Sequence, residues 1–436
     1  MRRQLTFIHA ADLHLGAPFR GLRALPESWA NRLYNAIPEA YDRVIDAAIQ
    51  HSVDFVVIAG DVFDTSRPSL GDYLHFFDGL RRLQEADIPV YLCTGNHDPY
   101  TSWQKDFDKL PDNTTMFAAD KPSFALYERD GVPLCVLGGR SYYNQTWPLD
   151  ESIIGGITRA QAVRALDDAA SKEQAGRPAA PHAALAPFAV GVVHSGLNLD
   201  PYKAPANPAE MLAAGMDYWA LGHIHKRFQF PSETDPRIVF SGCIQGRDIK
   251  ETGARGCCLV TLTEGAANKI EFVPTASVVW QRLTVNVEDC RTLADVQSHI
   301  TRGLFRVNGK AHCEQMLARI TLTGSTDLHA MLEREDVRKD ICARINEAYP
   351  AFYCDVVIDS TCAVRDMAAL AEEGLFPSLV LRVANNMRED EQTEFIQEEL
   401  VRRGIELPNN LEKRLDEYTQ TAKNIVLDAL MDGGDA

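Results

Sequence analysis

Five short polar motifs follow five apolar runs along this chain, and they constrain its fold more than any other feature. Asp12-Leu13-His14 follows the run 5–9, Gly60-Asp61-Val62-Phe63-Asp64 follows 53–59, and Gly95-Asn96-His97-Asp98 follows 89–94. His194 ends the run 190–193, and Gly222-His223-Ile224-His225 follows 218–221. Continuous apolar runs of this length, with helical spacing at 36–51 and 70–86 between the early ones, read as strands of a sheet covered on both faces. In open α/β sheets the strand ends face a common crevice where ligands bind. The five strand ends therefore deliver carboxylates, an amide and imidazoles to one place.

Those side chains form a mixed oxygen and nitrogen donor set. It suits Mn²⁺, Fe²⁺ or Zn²⁺ rather than Ca²⁺, and the lack of thiolate argues against a structural zinc site. The donors are too many for one ion. Two ions about 3.5–4 Å apart, sharing one carboxylate, would use them all. Such a pair lowers the pKa of water, holds a phosphate and neutralises the attacking and leaving oxygens, which is the chemistry of phosphoester hydrolysis.

Strands are expected near 123–126 and 133–137, a helix at 157–172, an Ala/Pro-rich insertion at 173–187, and strands at 188–194, 217–221, 238–241, 256–262 and 270–273. The pattern shifts near 278. Leu283, Val285 and Val287 alternate, as do Met316 to Leu322 and Phe352 to Ile358, with helical stretches at 290–303 and 326–347. That order predicts a small α+β domain. A polar hinge at 384–392 leads into a helical tail. There Leu411, Leu415, Tyr418, Ala422 and Ile425 share one face, and Asn409 with Glu412 fits a helix start. The expected divisions are 1–278, 279–383 and 384–436.

The 436 residues carry 44 Lys and Arg against 61 Asp and Glu, a net charge of −17 that argues against a broadly basic nucleic-acid binder. The stretch 226–255 is locally different, with Lys226, Arg227, Arg237, Arg247, Lys250 and Arg255 against four acids. Ten cysteines include no Cys-x-x-Cys pair and read as small buried hydrophobes in a reducing compartment. No apolar run reaches the ~18–20 residues of a membrane span, and the first strand lacks the long apolar core of a signal peptide. The expectation is a cytoplasmic protein. No Walker A loop is present, so an ATP-driven step would need another subunit.

Taken in order, the five motifs resemble the calcineurin-like metallophosphoesterase superfamily. More narrowly, they resemble the SbcD/YhaO-type nuclease subunits of double-strand-break repair complexes. The strings Phe7-Ile-His-Ala-Ala-Asp-Leu-His-Leu15, Gly60-Asp-Val-Phe-Asp-Thr-Ser-Arg-Pro-Ser69 and Ser241-Gly-Cys-Ile-Gln-Gly-Arg-Asp-Ile-Lys-Glu-Thr-Gly253 carry the likeness, which covers roughly residues 4–275. It implies an α/β fold: a metallophosphoesterase β-sandwich flanked by helices, then a small α+β capping and DNA-binding domain and a helical C-terminal tail. Matched motif by motif, it implies Asp12, His14 and His225 at one metal, Asn96, His194 and His223 at a second, and Asp61 bridging them. It places His97 against the scissile phosphate, to stabilise the transition state or protonate the leaving oxygen, and gives Asp64 and Asp98 the task of orienting imidazoles. His9, His51, His75, His182, His299, His312 and His329 match no motif and receive no catalytic role.

Related protein phosphatases carry Asp-Arg-Gly after the second motif and Gly-Asn-His-Glu at the third. Asp64-Thr65-Ser66 and the Asp98 ending disfavour that branch. The resemblance instead implies a Mn²⁺-dependent DNA exonuclease or endonuclease. It also implies a homodimer, with the tail docked on a coiled-coil SbcC/YhaN-type ATPase. The alternatives are a small-substrate or cyclic-nucleotide phosphodiesterase and a DNA-end-binding scaffold subunit.

Overall fold

A computed structural model describes residues 2–364 except 23–24, 104–108, 174–181, 198, 201 and 312–313, together with Leu379, Glu398 and Arg402. His312, most of the Ala/Pro stretch and all but isolated positions of the expected tail lie outside the described residues.

Two six-stranded sheets build the large unit. The first runs Lys269–Pro274 (β12), Gly256–Thr263 (β11), Gln4–Ala10 (β1), Phe55–Ala59 (β2), Val90–Cys93 (β3) and Thr114–Met116 (β4). The second runs Ser123–Arg129 (β5), Val132–Arg140 (β6), Phe188–His194 (β7), Tyr218–Gly222 (β8), Pro236–Phe240 (β10) and Phe228–Pro231 (β9). The strands that carry the motifs are parallel within each sheet, β1 to β2 to β3 and β7 to β8. Their C-terminal ends therefore leave each sheet on one side.

Strand periodicity of two divides each strand between two cores. Phe7, Phe55, Val57, Tyr91, Val190 and Val192 fill the space between the sheets, while Ile8, Val56, Ile58 and Leu92 point to the opposite face. Helices Glu27–Gln50 (α1) and Leu70–Glu85 (α2) cover that outer face, and Arg159–Glu173 (α3) and Pro208–Ala213 (α4) lie in sequence among the strands of the second sheet. The result is the expected sandwich of two sheets flanked by helices.

α1 begins nine residues before the expected start at 36. Its first turn follows Pro26, with no side-chain cap to announce it, and Pro38 interrupts the sequence pattern. Burial of Trp29, Leu33, Ile37, Tyr41 and Val44 holds the helix together across the proline.

The chain divides into two compact units, one of residues 1–281 with 308–317, the other of 282–307 with 318 onward. A three-stranded sheet, Val278–Asn286 (β13), Gln315–Ser325 (β14) and Phe352–Cys362 (β15) in the order β13-β14-β15, with helices Leu293–Ala311 (α5), His329–Leu332 (α6) and Glu335–Ala348 (α7), supplies most of the second unit, the ends of β13, α5 and β14 falling in the first. The division falls within β13, because Gly253 donates to the Trp280 carbonyl and Gln245 to that of Val278. Among the described residues no helix is long and apolar enough to cross a membrane.

Candidate metal centre

The loops after β1 and β2 are zipped together by their backbones. Asp12 N–H donates to Gly60 O (3.1 Å), His14 to Asp61 O (3.0 Å), Leu15 to Val62 O (2.9 Å), and Asp64 returns a bond to Leu15 O (3.2 Å). This ladder turns Asp12, His14 and Asp61 inward, at a conformational cost. Asp12 (φ 51°), His14 (φ 48°), Asp61 (φ 51°) and His223 (φ 99°) all have left-handed backbone. Each such residue costs on the order of 1–3 kcal/mol and persists only where its surroundings hold it.

Two triads of donor atoms result. Asp12, His14 and His225 form one, and Asp61, His194 and His223 form the other, each with ligand atoms within 4.8 Å of one another. Asp61 lies between them, its Oδ2 3.3 Å from His194 Nε2 and 3.8 Å from His14 Nε2. Its Oδ1 accepts the His97 N–H at 2.9 Å. Asp12 also ties the last motif in, accepting the His223 N–H at 3.0 Å.

The hydrogen-bond pattern leaves several of these atoms placed to serve as cation ligands. His194 Nδ1 donates to Ala59 O at 2.9 Å, which leaves Nε2 as the nitrogen that faces Asp61, and that buried atom has no hydrogen-bond partner. Asn96 Oδ1 is likewise buried without one. His225 Nδ1 is held by Glu251 Oε1 at 2.5 Å, and His14 Nδ1 lies 3.2 Å from Asp64 Oδ1. Both carboxylates draw the ring proton to Nδ1. The two Nε2 atoms then face each other at 3.1 Å as lone pairs, an arrangement a shared cation resolves. Burial opposes charge on His194, yet the Asp61 and Asp12 carboxylates outweigh it and raise that imidazole to about 9. Without cations the same carboxylates draw a proton onto the ring, so positive charge is favoured at this position. Burial would raise Asp61 too, but the surrounding imidazoles, His194 first, hold it well below the usual carboxylate range.

The glycines of the motifs leave room for the donors. A Cβ on Gly95 would stand 2.1 Å from Asp61 Oδ1 and 2.6 Å from the Asp61 backbone nitrogen. Gly95→Ala should therefore displace the shared carboxylate. We expect metal affinity and activity to fall together by at least about tenfold, as for disrupted ligand support, checked by titrating Mn²⁺ against hydrolysis.

His97 sits at the rim, its side chain 39% exposed. Its Nδ1 donates to the Asp64 backbone carbonyl at 2.9 Å, which fixes the ring and leaves Nε2 as the outward nitrogen. Asp64 supports the site twice, through that carbonyl and through the carboxylate beside His14. Burial works against its charge, but His14 and the Arg247 guanidinium, 2.6 Å away, hold it at about 2.

Asp98 takes a different part from the expected one. Its carboxylate accepts backbone N–H from Gly95 (2.9 Å), Val62 (3.0 Å) and Phe63 (3.4 Å) instead of orienting an imidazole. It locks the turn after β3 to the turn after β2. Burial and the neighbouring Asp61 charge push its carboxyl up to about 8.

Three supporting residues escaped the sequence reading. Glu251 holds His225, and its carboxyl, which burial alone would raise, is kept at about 2 by His225 and Arg247. Arg247 clamps Asp64 and donates its N–H to Glu251 Oε2 at 2.6 Å. Asp200 accepts from His223 Nε2 at 3.1 Å, which turns Nδ1 of that ring toward the donors. Glu251 and Arg247 stand in the Ser241–Gly253 string, where no single position announced a role; Asp200 lies in a loop without a motif. Glu251→Gln should weaken metal binding by about 10–100-fold with the fold intact, measurable by Mn²⁺ titration and thermal unfolding.

Most cations of the basic stretch 226–255 are engaged by the protein's own groups, although Arg227 is exposed and only Arg255 is buried. Arg227 stacks on Phe272 at 4.9 Å, Arg237 donates to Met216 O, Arg247 pairs with Asp64, and Arg255 donates to the backbone of His225, Glu251 and Thr252. Lys226 and Lys250 remain exposed. His9 is buried between the sheets, its Nδ1 2.9 Å from the Tyr218 hydroxyl, and the other described histidines without a motif lie outside both triads.

Comparison with known proteins gives a consistent result. The model of the calcineurin-like phosphoesterase family matches residues 5–227, and that of the middle domain of metallophosphoesterase YhaO matches 280–362. The chain is 32% identical over 327 residues to metallophosphoesterase YhaO of Bacillus subtilis (strain 168), covering 74% of this chain and 73% of that protein. It is 33% identical over 151 residues to the DNA double-strand break repair protein Mre11 of Methanosarcina acetivorans, covering 31% of this chain but only 23% of that protein. Against the protein of the same name from Aeropyrum pernix it is 26% identical over 307 residues, covering 69% and 67%.

Proposed function

The chain belongs to the calcineurin-like phosphoesterases, and within them to the YhaO-type chains, and we propose that it is a metal-dependent DNA nuclease, the hydrolytic subunit of an SbcCD-like repair complex. The observation that carries the reading is the pair of donor triads around Asp61, with His97 fixed at the rim and its Nε2 turned outward. The relatives named for DNA double-strand break repair support DNA as the substrate.

Asp12, His14 and His225 would hold one divalent cation and Asn96, His194 and His223 a second, with Asp61 serving both. Mn²⁺ fits this donor set, as do Fe²⁺ and Zn²⁺. When bound, the cations activate water and neutralise phosphate charge. The protein's own part is positional. Glu251, Asp64 and Asp200 fix the tautomers of His225, His14 and His223, so that the ligand nitrogens stay unprotonated. His97, protonated at Nε2, donates to the phosphate or to the leaving oxygen, while its Nδ1–H bond keeps the ring from rotating away. Lys226 and Lys250 add local positive charge for a polyanion.

The substrate class is tested by offering the purified chain with Mn²⁺ end-labelled linear duplex and single-stranded DNA beside bis-p-nitrophenyl phosphate and cyclic nucleotides. DNA cleavage that EDTA abolishes is the expected result. Hydrolysis of the small diesters without action on any DNA would replace the nuclease with a small-substrate phosphodiesterase. The proposal extends to the tail, which we assign to docking on a coiled-coil ATPase subunit. Deleting residues 388–436 should abolish that association and leave hydrolysis of bis-p-nitrophenyl phosphate unchanged; retained association would overturn the assignment.

A further inference from the structure

In the second unit α7 lies against β15, and it brings two thiols together. Cys342 Sγ on α7 stands 3.3 Å from Cys354 Sγ on β15. The approach is held in place by one side chain, a turn further along the helix. Asn346 Oδ1 accepts the Cys354 N–H at 2.7 Å, and Asn346 Nδ2 donates to the Cys354 carbonyl at 3.1 Å. This two-bond clamp fixes the backbone of Cys354 to the same helix face that carries Cys342. Cys354 is buried, 2% exposed, whereas Cys342 is partly open to solvent.

We propose that Cys342 and Cys354 are a reversible oxidation site, which a low-molecular-weight disulfide closes to an intrachain bond stapling α7 to β15. The Cys342 thiolate attacks one sulfur of the oxidant RSSR, forming a Cys342–SR mixed disulfide and expelling RS⁻. Cys354 gives its proton to that RS⁻ and attacks the Cys342 sulfur, expelling a second RS⁻, which takes up the proton Cys342 had lost. Both protein thiols are oxidised, and RSSR is reduced to two RSH.

The roles of the two cysteines follow from their surroundings. The two sulfurs share a hydrogen bond, which lowers the pKa of Cys342, and that bond together with burial raises that of Cys354. The exposed member is therefore the attacking group and the buried one the resolving group. The cysteines of the sandwich contrast with Cys342: burial raises the thiols of Cys93, Cys135, Cys243, Cys257 and Cys258 above their ordinary value.

The test incubates the full chain with oxidised glutathione, alkylates the remaining thiols, and reads intact mass and peptide map. The expected product has lost two hydrogens, carries no glutathione, and links the peptide of Cys342 to Cys354. Cys354→Ser should stall with glutathione retained on Cys342, and Cys342→Ser should give neither adduct nor bond. Asn346→Ala should slow closure of the mixed disulfide by about tenfold, because the thiols are no longer held in contact. Circular dichroism on each variant separates loss of the pair from loss of the fold. A native chain that keeps glutathione on Cys342, joins Cys342 to Cys362, or leaves both thiols unmodified would overturn the proposal.

Discussion

Asp61→Asn should remove both cations at once and lower phosphodiester hydrolysis by about four to five orders of magnitude, since several kcal/mol of charge stabilisation are lost at 1.36 kcal/mol per decade. The reason is position. Asp61 Oδ2 lies within 3.8 Å of a histidine from each triad, and its Oδ1 accepts the His97 backbone N–H. The amide is nearly isosteric and can still accept from His97 through its oxygen, so the fold should survive. It supplies no negative charge and turns an NH₂ toward the ring nitrogens. The check is thermal unfolding with and without Mn²⁺. Ligand that binds the folded state raises the melting temperature, so the native chain should show a Mn²⁺-dependent rise and Asp61→Asn should lose it. A variant that keeps the rise and full activity would remove Asp61 from the shared position.

His97→Ala should separate binding from chemistry. Hydrolysis should fall by about 10²–10⁴-fold, the usual contribution of a positioned proton donor, while the Mn²⁺-dependent rise in melting temperature stays. The imidazole bonds the Asp64 carbonyl and packs edge-on against the His14 ring, and its backbone N–H, which reaches Asp61, is untouched by the substitution. A loss of metal binding together with activity would instead make His97 part of the donor set. Unchanged cleavage of DNA would place the proton donor elsewhere.

Much of this fold was legible because its strands are buried on both faces. Val56 and Ile58 face α1 and α2, and Phe55 and Val57 face the second sheet, so the whole run is apolar and ends at Gly60-Asp61. The start of α1 was not legible, since Pro26 provides no side-chain cap and packing by Trp29 and Leu33, not local propensity, sets the first turns. In the site, the donors could be placed together because each follows directly on a strand end. Their supports could not. Asp200 meets His223 across 23 residues of chain, and Arg247 meets Asp64 across 183. Contacts of that separation depend on how loops pack. Asp98 was misread for a related reason: its motif gives its neighbourhood, but only the packed turns reveal three backbone N–H groups converging on it. The cations of 226–255 behave likewise, since Arg227, Arg247 and Arg255 are engaged by Phe272, Asp64 and the His225 carbonyl, contacts that no sequence spacing announces.

In the proposed centre one carboxylate, Asp61, joins two cation positions, and Mn²⁺ itself reports on that sharing. Metal-stripped chain titrated with Mn²⁺ and followed by electron paramagnetic resonance should bind two equivalents and develop the spectrum of an exchange-coupled pair. In Asp61→Asn that coupled spectrum should be absent. A single equivalent, or two ions with only uncoupled spectra in the native chain, would contradict the account.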